Sequence, residues 1–102
     1  MSWPNLLAAF FAGAFLANFV PHFVHGVSGN RFPTPFATPR GIGLSSPLVN
    51  VLWALVNLAA GFFLLRAGKV SAASNASLAA FFAGVAALSI HCSRHFVNKH
   101  AG

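Results

Sequence analysis

The sequence contains neither aspartate nor glutamate. That absence removes every mechanism needing a carboxylate side chain: an acidic general base, a glycosidase pair or a Ser-His-Asp triad. Two-metal phosphoryl transfer and a carboxylate-rich calcium site go with them, as does proton-coupled transport through an intramembrane acid within one chain. Charge of the other sign is scarce too. Six lysines and arginines are the whole charged inventory, 6% of the residues, against about a quarter in a soluble domain. A water-facing surface cannot be built from so few charges. The single cysteine, Cys92, closes no internal disulfide and says little about redox compartment.

What remains is apolar. The 102 residues, one domain by length, are 57% hydrophobic and 14% aromatic, with a mean hydropathy of +0.73. The solvent this composition suits is lipid. Three windows reach the length of about 20 residues that a hydrocarbon core demands. They run over about 5–26, 47–65 and 75–97. The expected fold is therefore all-α, a three-helix bundle forming one integral membrane domain over residues 1–102. Pro47 suits a first helical turn, with Ser45 or Ser46 as its cap, and Asn75 or Ser77 is placed to cap the third span. The first window lacks the basic leader of a cleaved signal peptide and is too long for one, so a retained span with Trp3 at the interface is expected.

Basic residues give a direction. Arg31 and Arg40 in the loop 27–46, with Arg94 and Lys99 near the C-terminus, outnumber Arg66 and Lys69 on the opposite side. The positive-inside rule then puts the loop and the C-terminus on the cytoplasmic side of the inner (cytoplasmic) membrane and the N-terminus outside. The net charge of +6 implies contact with anionic lipid head groups, and the single scattering of the basic residues argues against nucleic acid.

One internal echo is present: LAAFFAG occurs at 7–13 and again at 78–84, in spans running the same way. A duplicated helix would explain it. The similarity fades beyond Gly84, which favours coincidence between two Ala/Phe/Leu-rich segments.

Polar residues fall in stripes. Asn18, His22 and His25 are spaced i, i+4 and i+7; Asn50, Asn57 and Gly61 share a face beside Trp53 and Ala54; His91 and His95 are one turn apart. Lipid offers no hydrogen bonds, so such stripes turn inward or toward the interface. Small residues at four-residue spacing, Ala9, Gly13 and Ala17 with Ala80 and Gly84, permit close helix approach. Amide side chains on the bundle axis and histidines near one mouth follow. Pro21 removes a backbone donor and frees the carbonyl of Ala17, so a kink or an unwound last turn is expected there.

An odd number of crossings gathers His22, His25, His91, His95 and His100 at one membrane face. Imidazole is the commonest nitrogen ligand for zinc, copper and haem iron. His22, His25, His91 and His95 are thus a candidate set for a transition metal or haem, with Asn50 and Arg94 nearby for a small anion and Cys92 a possible thiolate. Against this stands the ordinary use of histidine in the head-group zone and near helix C-termini. The loop 27–46, stiffened by Pro33, Pro35 and Pro39 and carrying Phe32 and Phe36, is too long and apolar for a plain connector. It is expected to fold back onto the bundle mouth or to dip into the interface beside the histidines, where it would be well placed as a lid.

The combination of PHFVHGVSG at 21–29, TPF at 34–36, SSP at 45–47 and NVLWALVN at 50–57 resembles a family of small bacterial multi-span membrane proteins with no assigned activity. The resemblance covers the central third of the chain. It implies a helical membrane protein of this size and carries over no cofactor or catalytic residue. The functional expectation is a non-enzymatic membrane protein, structural or accessory, working as a homo-oligomer or within a larger membrane complex. Its alternatives are a module binding a metal, haem or small anion at the histidine mouth, and an oligomeric pore or carrier lined by the asparagines.

Overall fold

A computed structural model describes residues 2–71 and 74–97. Among these the chain forms α1 (Trp3–Val27), β1 (Phe32–Pro33), β2 (Leu44–Ser45), α2 (Pro47–Ala67) and α3 (Asn75–His95). All three helices are long and apolar enough to cross a membrane. His100 and Lys99 lie outside the described residues.

The local chemistry explains the helix ends. Ser46 stays extended and its Oγ accepts from Val49 N at 3.2 Å, while Pro47 occupies the first turn, where its missing N–H costs nothing. At α3 the cap is Ser74, correcting the expected Asn75 or Ser77. Ser74 keeps the extended backbone a cap needs and its Oγ accepts from Ser77 N at 3.2 Å, whereas Asn75 is already helical. Ser77 is fully buried and turns its hydroxyl back to Ser74 O at 3.0 Å. Pro21 does not end α1, which continues through it to Val27 and shows no unwound turn.

α1 is the central element. It packs along both α2 and α3, while α2 and α3 scarcely touch each other. Glycines mark the close approaches. A Cβ on Gly26 would lie 2.6 Å from Val51 Cγ2, one on Gly61 the same distance from Leu16, and one on Gly68 2.8 Å from Ala9 N. The sequence numbers run in opposite directions, so α1 and α2 are antiparallel. Gly13 abuts the carbonyl of Phe81 and Val85 N, and Gly84 abuts the carbonyl of Phe10 and Ala14 N. With Asn18 against Cys92 further along both helices, α1 and α3 are parallel. The two copies of LAAFFAG pack on one another reciprocally, each glycine against the same phenylalanine carbonyl of the other copy, as across a local two-fold axis.

The core this creates is small and polar: Ala9, Ala12, Gly13, His22, Asn50, Ala54, Asn57, Gly61, Ser77 and Gly84 are buried. Bulky residues point outward, with Phe63 74%, Leu48 66% and Phe82 62% exposed. Water would reverse this arrangement, because large apolar side chains dominate a soluble core. In lipid, association depends on close backbone approach and internal hydrogen bonds.

The loop between α1 and α2 folds back as expected. Phe32 pairs with Ser45 and Pro33 with Leu44 in a two-residue antiparallel ladder. Inside it Gly41 N and Ala37 N both donate to Thr34 O, at 2.8 and 3.1 Å. Phe32, Pro33, Thr34 and Ala37 are buried, so the segment is a packed lid on the loop-side end of the bundle.

Candidate functional site

Asn50, one turn into α2, organises the mouth. Its Nδ2 lies 3.0 Å from Phe32 O, 3.3 Å from Ser45 O and 3.1 Å from Ser46 O. Three carbonyl oxygens around one atom fix that atom as the amide nitrogen, so its Oδ1 faces the other way and accepts. The partner of Oδ1 is His22 Nδ1 at 2.8 Å, which must therefore carry a hydrogen. In the neutral ring this leaves Nε2 as the lone-pair nitrogen. Nε2 makes no hydrogen bond among the described residues. The His22 ring is 2% exposed and held edge-on by Phe32, Phe96 and Trp53, with centroid separations of 5.3, 6.2 and 6.4 Å.

A second polar chain runs one turn deeper. Cys92 Sγ sits 3.8 Å from Asn18 Oδ1, Asn18 Nδ2 donates to Asn57 Oδ1 at 3.0 Å, and Asn57 Nδ2 donates to Trp53 O at 2.8 Å. The deep amides thus bond across all three helices and to one another. Both amides of the α2 stripe, Asn50 and Asn57, are buried and hydrogen-bonded.

Between these two layers lies a cavity of about 140 Å³. Helices supply Asn18, His22, Trp53, His91, Cys92, His95 and Phe96 to its wall, and the lid supplies Pro33, Thr34, Pro35 and Gly41. His95 Nε2 donates to Gly41 O at 2.6 Å and ties α3 to the lid. The indole Nε1 of Trp53 is buried with no hydrogen-bond partner, the one such side-chain nitrogen or oxygen among the described residues. An orphaned buried donor costs about 1–3 kcal/mol, so it marks a place where something belongs.

The expected site residues divide. His22, His91 and His95 reach the cavity together with Cys92. His91 and His95 stack at 5.6 Å. His25 does not line the cavity; its ring stacks on Phe32 at 4.3 Å, on the other side of the lid residue. Asn50 stands behind His22 as the group that orients it. Arg94 is exposed and outside the wall. Among the described residues no three His or Cys side chains come together in a way that could hold a metal ion. A porphyrin is several times larger than the cavity. Trp53 was not a candidate in the sequence, although its position between Asn50 and Asn57 on one face of α2 was the available signal.

The chain matches no protein-family model, no curated protein and no solved structure.

Proposed function

We propose that this chain is a non-enzymatic multi-pass protein of the cytoplasmic membrane, with its loop side facing the cytoplasm, that holds one small hydrogen-bonding molecule in the lidded cavity. The observation that carries the reading is that Trp53, whose buried indole N–H has no hydrogen-bond partner, and His22, whose Nδ1 is held by Asn50, both line this cavity. A ligand bearing a hydroxyl group satisfies both at once, its oxygen accepting from Trp53 and its hydrogen donating to His22. The volume is close to that of a cavity that takes benzene, about 150 Å³. Basic residues on the loop side support the orientation through the positive-inside rule.

Phenol is therefore the natural probe and toluene its control. Phenol is expected to raise the unfolding temperature of the detergent-purified protein saturably. Toluene, matched in size without the hydroxyl, is expected to bind about thirtyfold more weakly, since two hydrogen bonds contribute about 1 kcal/mol each. Trp53→Phe should remove about half of that discrimination on the free-energy scale. Equal binding of phenol and toluene, or none by either, defeats the reading.

A second reading, self-association or docking to another membrane helix, is favoured by the outer face of α3. Ala76, Ala79, Ala83, Ala86 and Ala87 are all exposed, and small residues let helix backbones approach closely in lipid. A Cys92→Ser chain carrying Ala83→Cys is expected to form a disulfide-linked dimer in native membranes under mild oxidation. A chain that stays monomeric, without crosslinks to other proteins, excludes this face as an interface.

A further inference from the structure

The cavity has two kinds of wall. Toward the loop its lining residues are tied by directed bonds, His95 to the Gly41 carbonyl and Thr34 Oγ1 to Ser45 Oγ. Between α1 and α3 its wall includes Phe96 and Cys92, whose thiol makes one contact of 3.8 Å with Asn18. A thiol is a weak donor, so this seam is the least secured part of the wall.

On the far side of that seam is a groove of about 440 Å³, again bounded by Cys92 and Phe96. Val20, Pro21, Val85 and Ser89 form the rest of its surface relevant here. Its origin is legible. The parallel helices touch most closely at Gly13 and Gly84, deeper in the bundle. Nearer the loop, Ala17 and Ser89 are too small to fill the space between them. Pro21 has no N–H to give the carbonyl of Ala17, a residue that also lines the groove, so that carbonyl is left without its helical donor. The groove runs along α1 and α3, both long and apolar enough to cross a membrane.

We propose that the occupant of the cavity is the phenol- or quinol-type head group of a lipid-dissolved molecule, whose alkyl tail lies in the α1–α3 groove and which enters from the membrane between Cys92 and Phe96. The inference rests on the cavity being a small-ligand site and adds the ligand's tail and its route. Head and tail correspond to the two spaces: a hydroxylated ring matches the benzene-sized chamber with its paired donor and acceptor, and an alkyl chain matches the apolar channel that shares its wall.

The test uses the full chain in liposomes with phenol and 4-octylphenol as probes, and it leaves the head-group site intact. Ser89→Leu, an exposed position outside the cavity, fills the groove. It is expected to weaken 4-octylphenol binding about tenfold, the worth of about two displaced methylenes, and to leave phenol binding unchanged. In the unaltered chain, bound 4-octylphenol should slow alkylation of Cys92 by N-ethylmaleimide, with phenol at equal occupancy slowing it less. Phenol binding that survives while neither 4-octylphenol effect is seen overturns the tail and the route alone. Failure of phenol to bind at all overturns the cavity reading, and this inference with it. Equal protection of Cys92 by both probes overturns the groove as the tail's place.

Discussion

Gly84→Ala is expected to separate α1 from α3 and to destabilise the protein by about 3 kcal/mol or more, toward the upper end of what overpacking costs. An alanine in a helix ordinarily gains about 1 kcal/mol over glycine. Here the added methyl meets the backbone carbonyl of Phe10, with Ala14 N at 3.1 Å behind it. A flexible side chain could swing away from the intruder; a carbonyl inside a helix cannot, so the whole helix must move. Gly13→Ala meets the Phe81 carbonyl in the same way and should cost a similar amount. Because one displacement relieves both clashes, the double variant should cost much less than the sum, a coupling that contacting sites show and distant ones do not. Ala86→Leu, on the exposed face of α3, is the silent control. Unfolding in detergent measures all four, and Cys92 alkylation reports the opening directly. A Gly84→Ala protein as stable as the original would mean that α1 and α3 are not in contact at this crossing.

The layout was open to reading because lipid imposes few rules and imposes them strongly. A run of about 20 apolar residues has one stable form there, and three such runs oblige the first and third to be parallel. That arrangement places His22, His91 and His95 toward the loop-side end, where they line one pocket. Side-chain partnership is another matter. His22 and His25 are neighbours on a helical wheel, yet the Phe32 ring stacks on His25 and meets His22 edge-on, an outcome set by how residue 32 returns from a loop. Arg94 precedes His95 by one residue, about 100° around the helix, and so leaves the wall that His95 joins. Trp53 was hidden for a similar reason. An indole on a membrane helix is ordinary, and only the placement of neighbours drawn from α1, α3 and the lid shows that its N–H has no partner. The repeated LAAFFAG lay in plain view in the sequence, but its reciprocal packing depends on a crossing point that no single helix encodes.

Asn50→Leu should be the most damaging single change at the mouth, costing about 3–5 kcal/mol as the unpaired groups add up. The amide serves four partners. Its two N–H groups are shared among the carbonyls of Phe32, Ser45 and Ser46, and its oxygen holds the His22 N–H. Leucine conserves bulk and returns none of these bonds, in a place where neither water nor lipid replaces them. Asn50→Asp should be worse than leucine despite its shape. A carboxylate has no hydrogen to offer, so three carbonyl oxygens would face a fourth oxygen bearing charge. The loss must also reach the ligand chamber, since Asn50 is what fixes the His22 tautomer and leaves Nε2 as the acceptor. Nitrogen NMR of labelled histidine reads this directly: the original protein should show His22 protonated at Nδ1 and bare at Nε2, and Asn50→Leu a mixture. With the tautomer mixed, phenol loses its acceptor in part of the population and its preference over toluene narrows, even in molecules that stay folded. If His22 proves protonated at Nε2 in the original protein, the cavity presents two donors and no acceptor, and the hydrogen of the hydroxyl group is left without the partner this reading assigns to it.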